Sequence, residues 1–254
     1  MALFTDGPAS TMEDLAGQDS QLLDVANTEG IDVGRKLASA QDELGVDLAG
    51  LLNRGGWEGQ PFWLASAPDV SHVVVTPPLR LWHAFRTLEL VYGEAYYNQL
   101  SERYSGKRDA FHDMAAWARE KLIELGIGIA SDPVARAATP VVQTTAGNLP
   151  TGIYYVTMAW VNAAGEEGAC ASPAVASTAG NTLLALPQNA PANAKSWNVY
   201  VGQGPDSMTL QSASPIPAGQ SWTQSNPVAT TGRAPGLGQA PNYLFAAPRT
   251  LQRG

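Results

Sequence analysis

Cysteine occurs once in the 254 residues, at Cys170, so no disulfide can close within the chain and no all-cysteine metal site can be built. Histidine occurs three times (His72, His83, His112), which leaves few ways to assemble a histidine-ligated metal centre. Charged residues make up only 15% of the chain, against about 25% in an ordinary soluble protein. No run of apolar residues approaches the roughly 18 needed to span a bilayer. The first ten residues lack the basic start and apolar stretch of a secretion signal, so synthesis in the cytoplasm is expected. The GxSxG, P-loop, HExxH and GxGxxG patterns are missing as well. No catalytic set, metal site or cofactor is therefore expected.

With 44% hydrophobic residues, the chain can bury a sizeable core. The net charge of −8 argues against a nucleic-acid-binding surface spread over the whole molecule. That charge is unevenly placed. Residues 1–138 carry twenty acidic and eleven basic side chains, whereas residues 139–254 carry three and four. The second part also holds 12 Gly and 12 Pro, and no acid follows Asp206. Two composition classes predict two domains.

Residues 1–138 read as a helical domain. Ser10-Thr11-Met12-Glu13 has capping-box character, and Leu15, Leu22, Leu23 and Ala26 follow at helical spacing up to Gly30. Asp32 can cap a helix striped by Val33, Leu37, Ala40, Leu44, Leu48, Leu51 and Leu52, with Gly55-Gly56 as its stop. Trp57, Phe62 and Trp63 lie in an interrupted segment, and Val73-Val74-Val75 reads as a short strand. From Pro78, apolar residues at Leu81, Phe85, Leu88, Tyr92, Ala95 or Tyr96, and Leu100 predict a long helix. Ser105-Gly106 is read as the break. Phe111, Met114 or Ala115, Ala118, Leu122 and Leu125 then predict a second helix stopped by Gly126. Together these form an antiparallel hairpin.

Residues 139–225 read as an all-β sandwich. Ile153–Val161 is β-branched and aromatic, apolar on both faces, and reads as a buried strand before the turn Asn162–Gly168. Strands are predicted near 172–178, 181–186, 196–202 and 208–213, and this rhythm is that of an immunoglobulin- or fibronectin-like sandwich. The expected fold class is thus α+β multidomain. Residues 226–254 form a Pro/Gly-rich tail with Arg233, Arg249 and Arg253, no acid, and the apolar triplet Tyr243-Leu244-Phe245. The tail reads either as a solvated terminus or as an extended arm that orders on a partner.

Candidate chemistry is sparse. Glu166-Glu167 offers two adjacent acids without the third that a Ca²⁺ site needs, so a solvated turn is expected. Cys170 has no adjacent base and reads as a small buried side chain, and His83 and His112 read as polar positions beside the helical stripe. Arg103, Lys107 and Arg108 cluster at the hairpin turn, either solvated or forming a basic tip for DNA or an acidic partner.

The stretch Leu79 to Ile129, which from Arg80 reads RLWHAFRTLELVYGEAYYNQLSERYSGKRDAFHDMAAWAREKLIELGIGI, resembles the helical core of tailed-phage head–tail connector (adaptor) proteins. Leu100-Ser101-Glu102-Arg103-Tyr104-Ser105-Gly106-Lys107 matches their LxxxLSxRYxGK-type turn. Thr11 to Asp32 is similar to SxxDLxxxDSxxLDVAxTEGID-type segments of phage structural proteins. TGIYYVTMAWVNAAGEEGACASP, with WNVYVG at 197–202, resembles fibronectin- or immunoglobulin-like domains appended to virion proteins.

This resemblance implies a non-enzymatic virion protein at the neck. It would form a homo-oligomeric ring, a dodecamer in that family, below the portal protein. The ring would continue the channel through which genomic DNA passes without sequence-specific binding, and it would join a downstream neck or tail protein. Arg103, Lys107, Arg108, Arg233, Tyr243, Leu244, Phe245, Arg249 and Arg253 are the candidate contacts. A second reading is a decoration or host-surface protein whose sandwich stacks sugars on Trp160, Trp197 or Trp222. Trp160 and Trp197, lying inside strands, are expected in the core instead.

Overall fold

The computed structural model describes residues 1–54, 68–99, 102–224 and 227–246. Gly55-Gly56, Trp57, Phe62, Trp63, Leu100, Ser101, Arg249 and Arg253 lie outside the described residues. The chain divides into two compact units. One comprises 7–131 with 241–254, and the other 1–6 with 132–240. The boundary expected at 138 therefore falls at Ser131/Asp132. The first six residues belong with the β unit, and the segment from Pro241 belongs with the helical one.

The helical unit contains α1 (Met12–Gln18), α2 (Leu22–Glu29), α3 (Val33–Arg54), α4 (Pro77–Gln99) and α5 (Glu102–Leu125). The capping box sits one residue later than expected. Thr11 accepts from the Asp14 amide, and the Asp14 carboxylate accepts from the Thr11 amide. The single helix expected through Ala26 is two helices. Asp19 is extended and turns its carboxylate onto the Gln21 amide (3.0 Å), which ends α1. Gly30 closes α2 at φ +67, a left-handed conformation that costs glycine little.

In α3 the stripe Val33, Leu37, Ala40, Leu44, Leu48, Leu51 and Leu52 is buried throughout. Helix α4 is central, packed by α1, α2, α3 and α5, and so buries more of its circumference than one stripe (Trp82, Phe85, Leu88, Val91, Tyr92, Ala95). An aromatic ladder joins α4 to α5: Phe85 stacks on Phe111 at 6.4 Å, and Tyr92 on Phe111 at 5.7 Å. Helix α5 runs through Ser105-Gly106 without a break. After Gly126 (φ +95) comes β1 (Ile127–Ile129), with Val73 bridged to Ile129 on one side and β10 (Tyr243–Phe245) on the other. The expected strand at 73–75 is reduced to that bridge.

The β unit contains β2 (Val141–Ala146), β3 (Gly152–Val161), β4 (Ala174–Thr178), β5 (Asn181–Leu186), β6 (Ser196–Gly202), β7 (Thr209–Leu210), β8 (Ile216–Pro217) and β9 (Trp222–Thr223). They form two antiparallel sheets, β2-β5-β9 and β4-β3-β6-β7, with β8 also on β6. Period-two alternation sends Tyr154, Val156, Met158 and Trp160 of β3, and Trp197, Val199 and Val201 of β6, into one core with Leu183 and Ala185 of β5. Trp160 and Trp197 are cross-strand partners and both are buried. The architecture is α+β, a helical N-terminal part followed by antiparallel β-sheets.

Candidate functional site

The basic residues expected at the hairpin tip are bound within the chain. The Lys107 ammonium donates to both Asp19 oxygens (2.9 and 2.8 Å) and to Gln21 Oε1 (3.1 Å), and lies 5.0 Å from the Tyr92 ring centroid. Tyr92 donates its hydroxyl to the same carboxylate at 2.5 Å, and Tyr104 donates to Glu29 at 2.7 Å. Burial alone would raise the Asp19 pKa. The hydrogen bonds from Lys107, Tyr92 and the Gln21 amide outweigh it and hold the carboxyl below its ordinary value. Arg108 pairs with Asp109 and covers the Tyr96 ring, and Arg103 covers Tyr104. The Arg-Tyr-Ser-Gly-Lys stretch thus fastens α1 and α2 to the hairpin. This is a structural duty for Lys107 rather than the free basic tip weighed from sequence.

His83 and His112 part company. His83 is fully buried. Its Nε2 faces the Leu37 carbonyl (3.2 Å), which can only accept, so Nε2 carries the proton and Nδ1 accepts from the Ser10 hydroxyl (2.7 Å). Desolvation pushes this imidazole down to about 4. His112 is exposed and paired with Glu89 at 3.0 Å. His112 is the polar position beside the stripe that was expected, whereas His83 lies inside the core.

A groove of about 500 Å³ runs between α3 and α5 beside α4. Leu44, Val46, Trp82, Ala115 and Ala116 give it apolar walls. Its rim carries Arg86 between Glu43 (2.6 Å) and Glu89 (2.7 Å), and Arg119 against Asp47 (3.4 Å) and over the Trp82 ring. Another face of α5 exposes three large apolar side chains, Met114 (40%), Trp117 (50%) and Leu125 (58%), with Lys121 among them. The sequence stripe placed Phe111, Met114 or Ala115, Ala118, Leu122 and Leu125 in the core; Ala115 is the buried one of its pair, and Leu125 is exposed rather than buried. Phe111, Ala118 and Leu122 are buried as expected, and the half-exposed Trp117 was passed over. The signal was legible: 114, 117, 121 and 125 recur at three, four and four, a second stripe about 100° around the helix from the first.

In the β unit, Glu167 is largely buried and fully engaged. It accepts from Asn198 (2.8 Å), Tyr200 (2.6 Å) and Arg233 (2.5 Å). Glu166 accepts from Asn162 (2.9 Å) and Gln239 (3.0 Å). The turn expected to be solvated is therefore an internal anchor, and Arg233 has an acid after all, supplied from 66 residues upstream. These residues border a cavity of about 460 Å³, to which Ser212 and Ser214 also contribute. Cys170 is partly buried and free, and desolvation, reinforced by Glu167, pushes its thiol up to about 12. Among the described residues no group of three or more His, Cys, Asp and Glu converges, and no helix is long and apolar enough to cross a membrane.

Tyr243, Leu244 and Phe245, weighed from sequence as part of a solvated terminus or of a partner-binding arm, form β10 on β1 of the same chain, in the register Ile127↔Phe245 and Ile129↔Tyr243. Phe245 is buried, and only Leu244 of the three is exposed. Comparisons with protein-family models, with curated proteins and with solved structures find no match.

Proposed function

We propose that this chain is a non-enzymatic structural connector of a tailed-phage neck. It would assemble as a homo-oligomeric ring below a portal protein, continue the DNA channel and meet a downstream neck or tail protein. The observation that carries the reading is on α5: a long hairpin helix, locked by Lys107 and Tyr104 to the N-terminal helices, leaves Trp117, Met114 and Leu125 uncovered. Large apolar groups in a row are what a subunit contact needs. The acidic excess of residues 1–138 suits a conduit from which a duplex must slide without sticking.

The second reading, a host-surface or carbohydrate-binding virion protein, draws on the cavity beside Asn198, Ser212 and Gln239. It loses Trp160 and Trp197 as stacking platforms, since both are buried. Electron microscopy of the purified protein, alone and mixed with its portal, tests the main reading. Rings or co-assembly are expected; a persistent monomer with no portal association refutes it. Binding on a glycan array would favour the second.

A further inference from the structure

Helix α5 carries two different surfaces on opposite flanks. At 100° per residue, the groove-lining His112, Ala116 and Arg119 fall on one side of the buried line Phe111–Ala118–Leu122. Met114, Trp117, Lys121 and Leu125 fall on the other, about 200° around the axis from their counterparts two residues earlier (112 to 114, 119 to 121). One flank is a ridge with an indole half out in solvent. The other is a wall of a groove whose sides are Leu44, Val46, Trp82, Ala115 and Ala116.

We infer that the ridge of one copy seats in the α3–α5 groove of the next, Trp117 entering beside Val46 and Trp82, so that copies join head to tail. The inference rests on the connector reading and names the contact that builds its ring. Two observations commit the groove to a second copy of this chain, and a third shows that it is large enough. First, the complementary apolar ridge is on the chain itself. Second, the ridge offers an ammonium to a rim rich in carboxylates. The groove rim holds three carboxylates, Glu43, Asp47 and Glu89, against two guanidiniums, Arg86 and Arg119, and the ridge brings the Lys121 ammonium. Lys121 is now paired with Glu124, both nearly half exposed, and an exposed pair of this kind is cheaply exchanged. Third, a volume of about 500 Å³ lies within the range that admits a ligand larger than one indole. Because ridge and groove lie on opposite flanks of α5, one neighbour cannot fill both, so the contact is heterologous, and repeating it generates a closed ring or an open filament.

Trp117→Glu spoils the ridge and Val46→Lys spoils the groove. Both positions are exposed (Trp117 50%, Val46 75%), so the fold should survive, and circular dichroism melts check that it does. By mass photometry and sedimentation, each variant alone should lose assembly. An equimolar mixture should give dimers and nothing larger, because each dimer then holds one intact ridge in one intact groove. Paired cysteines, Trp117→Cys with Val46→Cys, should yield a ladder of covalent oligomers. Wild-type rings together with rings of Trp117→Glu would overturn this contact and leave the connector reading standing. Covalent dimers from Trp117→Cys alone would overturn it in favour of a ridge-to-ridge contact. A wild-type chain that stays monomeric with and without portal overturns both.

Discussion

Lys107 lays its ammonium on the Asp19 carboxylate across 88 residues of chain, 2.8 Å from one oxygen and 2.9 Å from the other. Asp19 is almost wholly withdrawn from water, so the pair works by compensating a charge that the fold has already desolvated. Lys107→Met should destabilise the helical unit by about 3 kcal/mol, because it strands that carboxylate. The double variant Lys107→Met/Asp19→Asn should recover part of the loss, which a double-mutant cycle by urea denaturation measures. Asp19 has a lowered folded-state pKa, so its contribution is present above the ordinary carboxylate pKa and fades as pH falls through the folded value. The gap between wild type and Lys107→Met should therefore narrow in strong acid.

His83 sets a second pH window. Its folded value is about 4, below the ordinary 6.5, so between these values the unfolded chain binds a proton that the folded chain refuses. Stability is full above 6.5 and declines as pH falls towards 4, by up to about 3 kcal/mol. His83→Gln should be less stable at neutral pH yet lose much of that slope. Chemical denaturation across the window reads both effects, and a variant with the wild-type slope would refute the assignment.

Cys170 should behave as an inert thiol. With desolvation and Glu167 holding it protonated up to about 12, alkylation by iodoacetamide at mildly alkaline pH should be roughly a hundredfold slower than for free cysteine. Intact-protein mass spectrometry over time follows the reaction, and labelling at the free-cysteine rate would contradict the burial.

Phe245 should matter to helices far from it in sequence. It is buried in the helical unit opposite Ile127, so Phe245→Ala should cost about 3 kcal/mol. The loss should appear in the helical circular dichroism melt. Leu244→Ala, an exposed neighbour, should change that melt little.

What the sequence could disclose was set by how local the determining force is. The α3 stripe from Val33 to Leu52 and the alternation Trp197-Val199-Val201 are periodic within one element, so they read out directly. Gly106 misled because glycine disfavours a helix interior by only about 1 kcal/mol, and the anchors of Tyr104 to Glu29 and Lys107 to Asp19 on either side exceed that. Arg233 looked unbalanced and Tyr243-Leu244-Phe245 looked unclaimed for one reason: their partners, Glu167 and Ile127–Ile129, are distant in sequence. The ridge on α5 was visible as a second stripe, but a pattern search that assigns every stripe to the core overlooks it.

The pairing of β1 with β10 has a bearing on how such a chain could be rebuilt. Ile129 accepts from the Asn242 amide at 2.8 Å, and the Asn242 side chain accepts from the Ser131 amide at 2.7 Å. The helical unit is thus left at Ser131 and regained at Pro241 on adjacent rungs of one hairpin. To the helices, the whole stretch 132–240 is the content of a hairpin loop. A two-residue turn could close the same ladder. The sandwich is in this sense a cassette inserted between two rungs of a hairpin, while the first six residues of its unit reach it by a separate crossing of the chain.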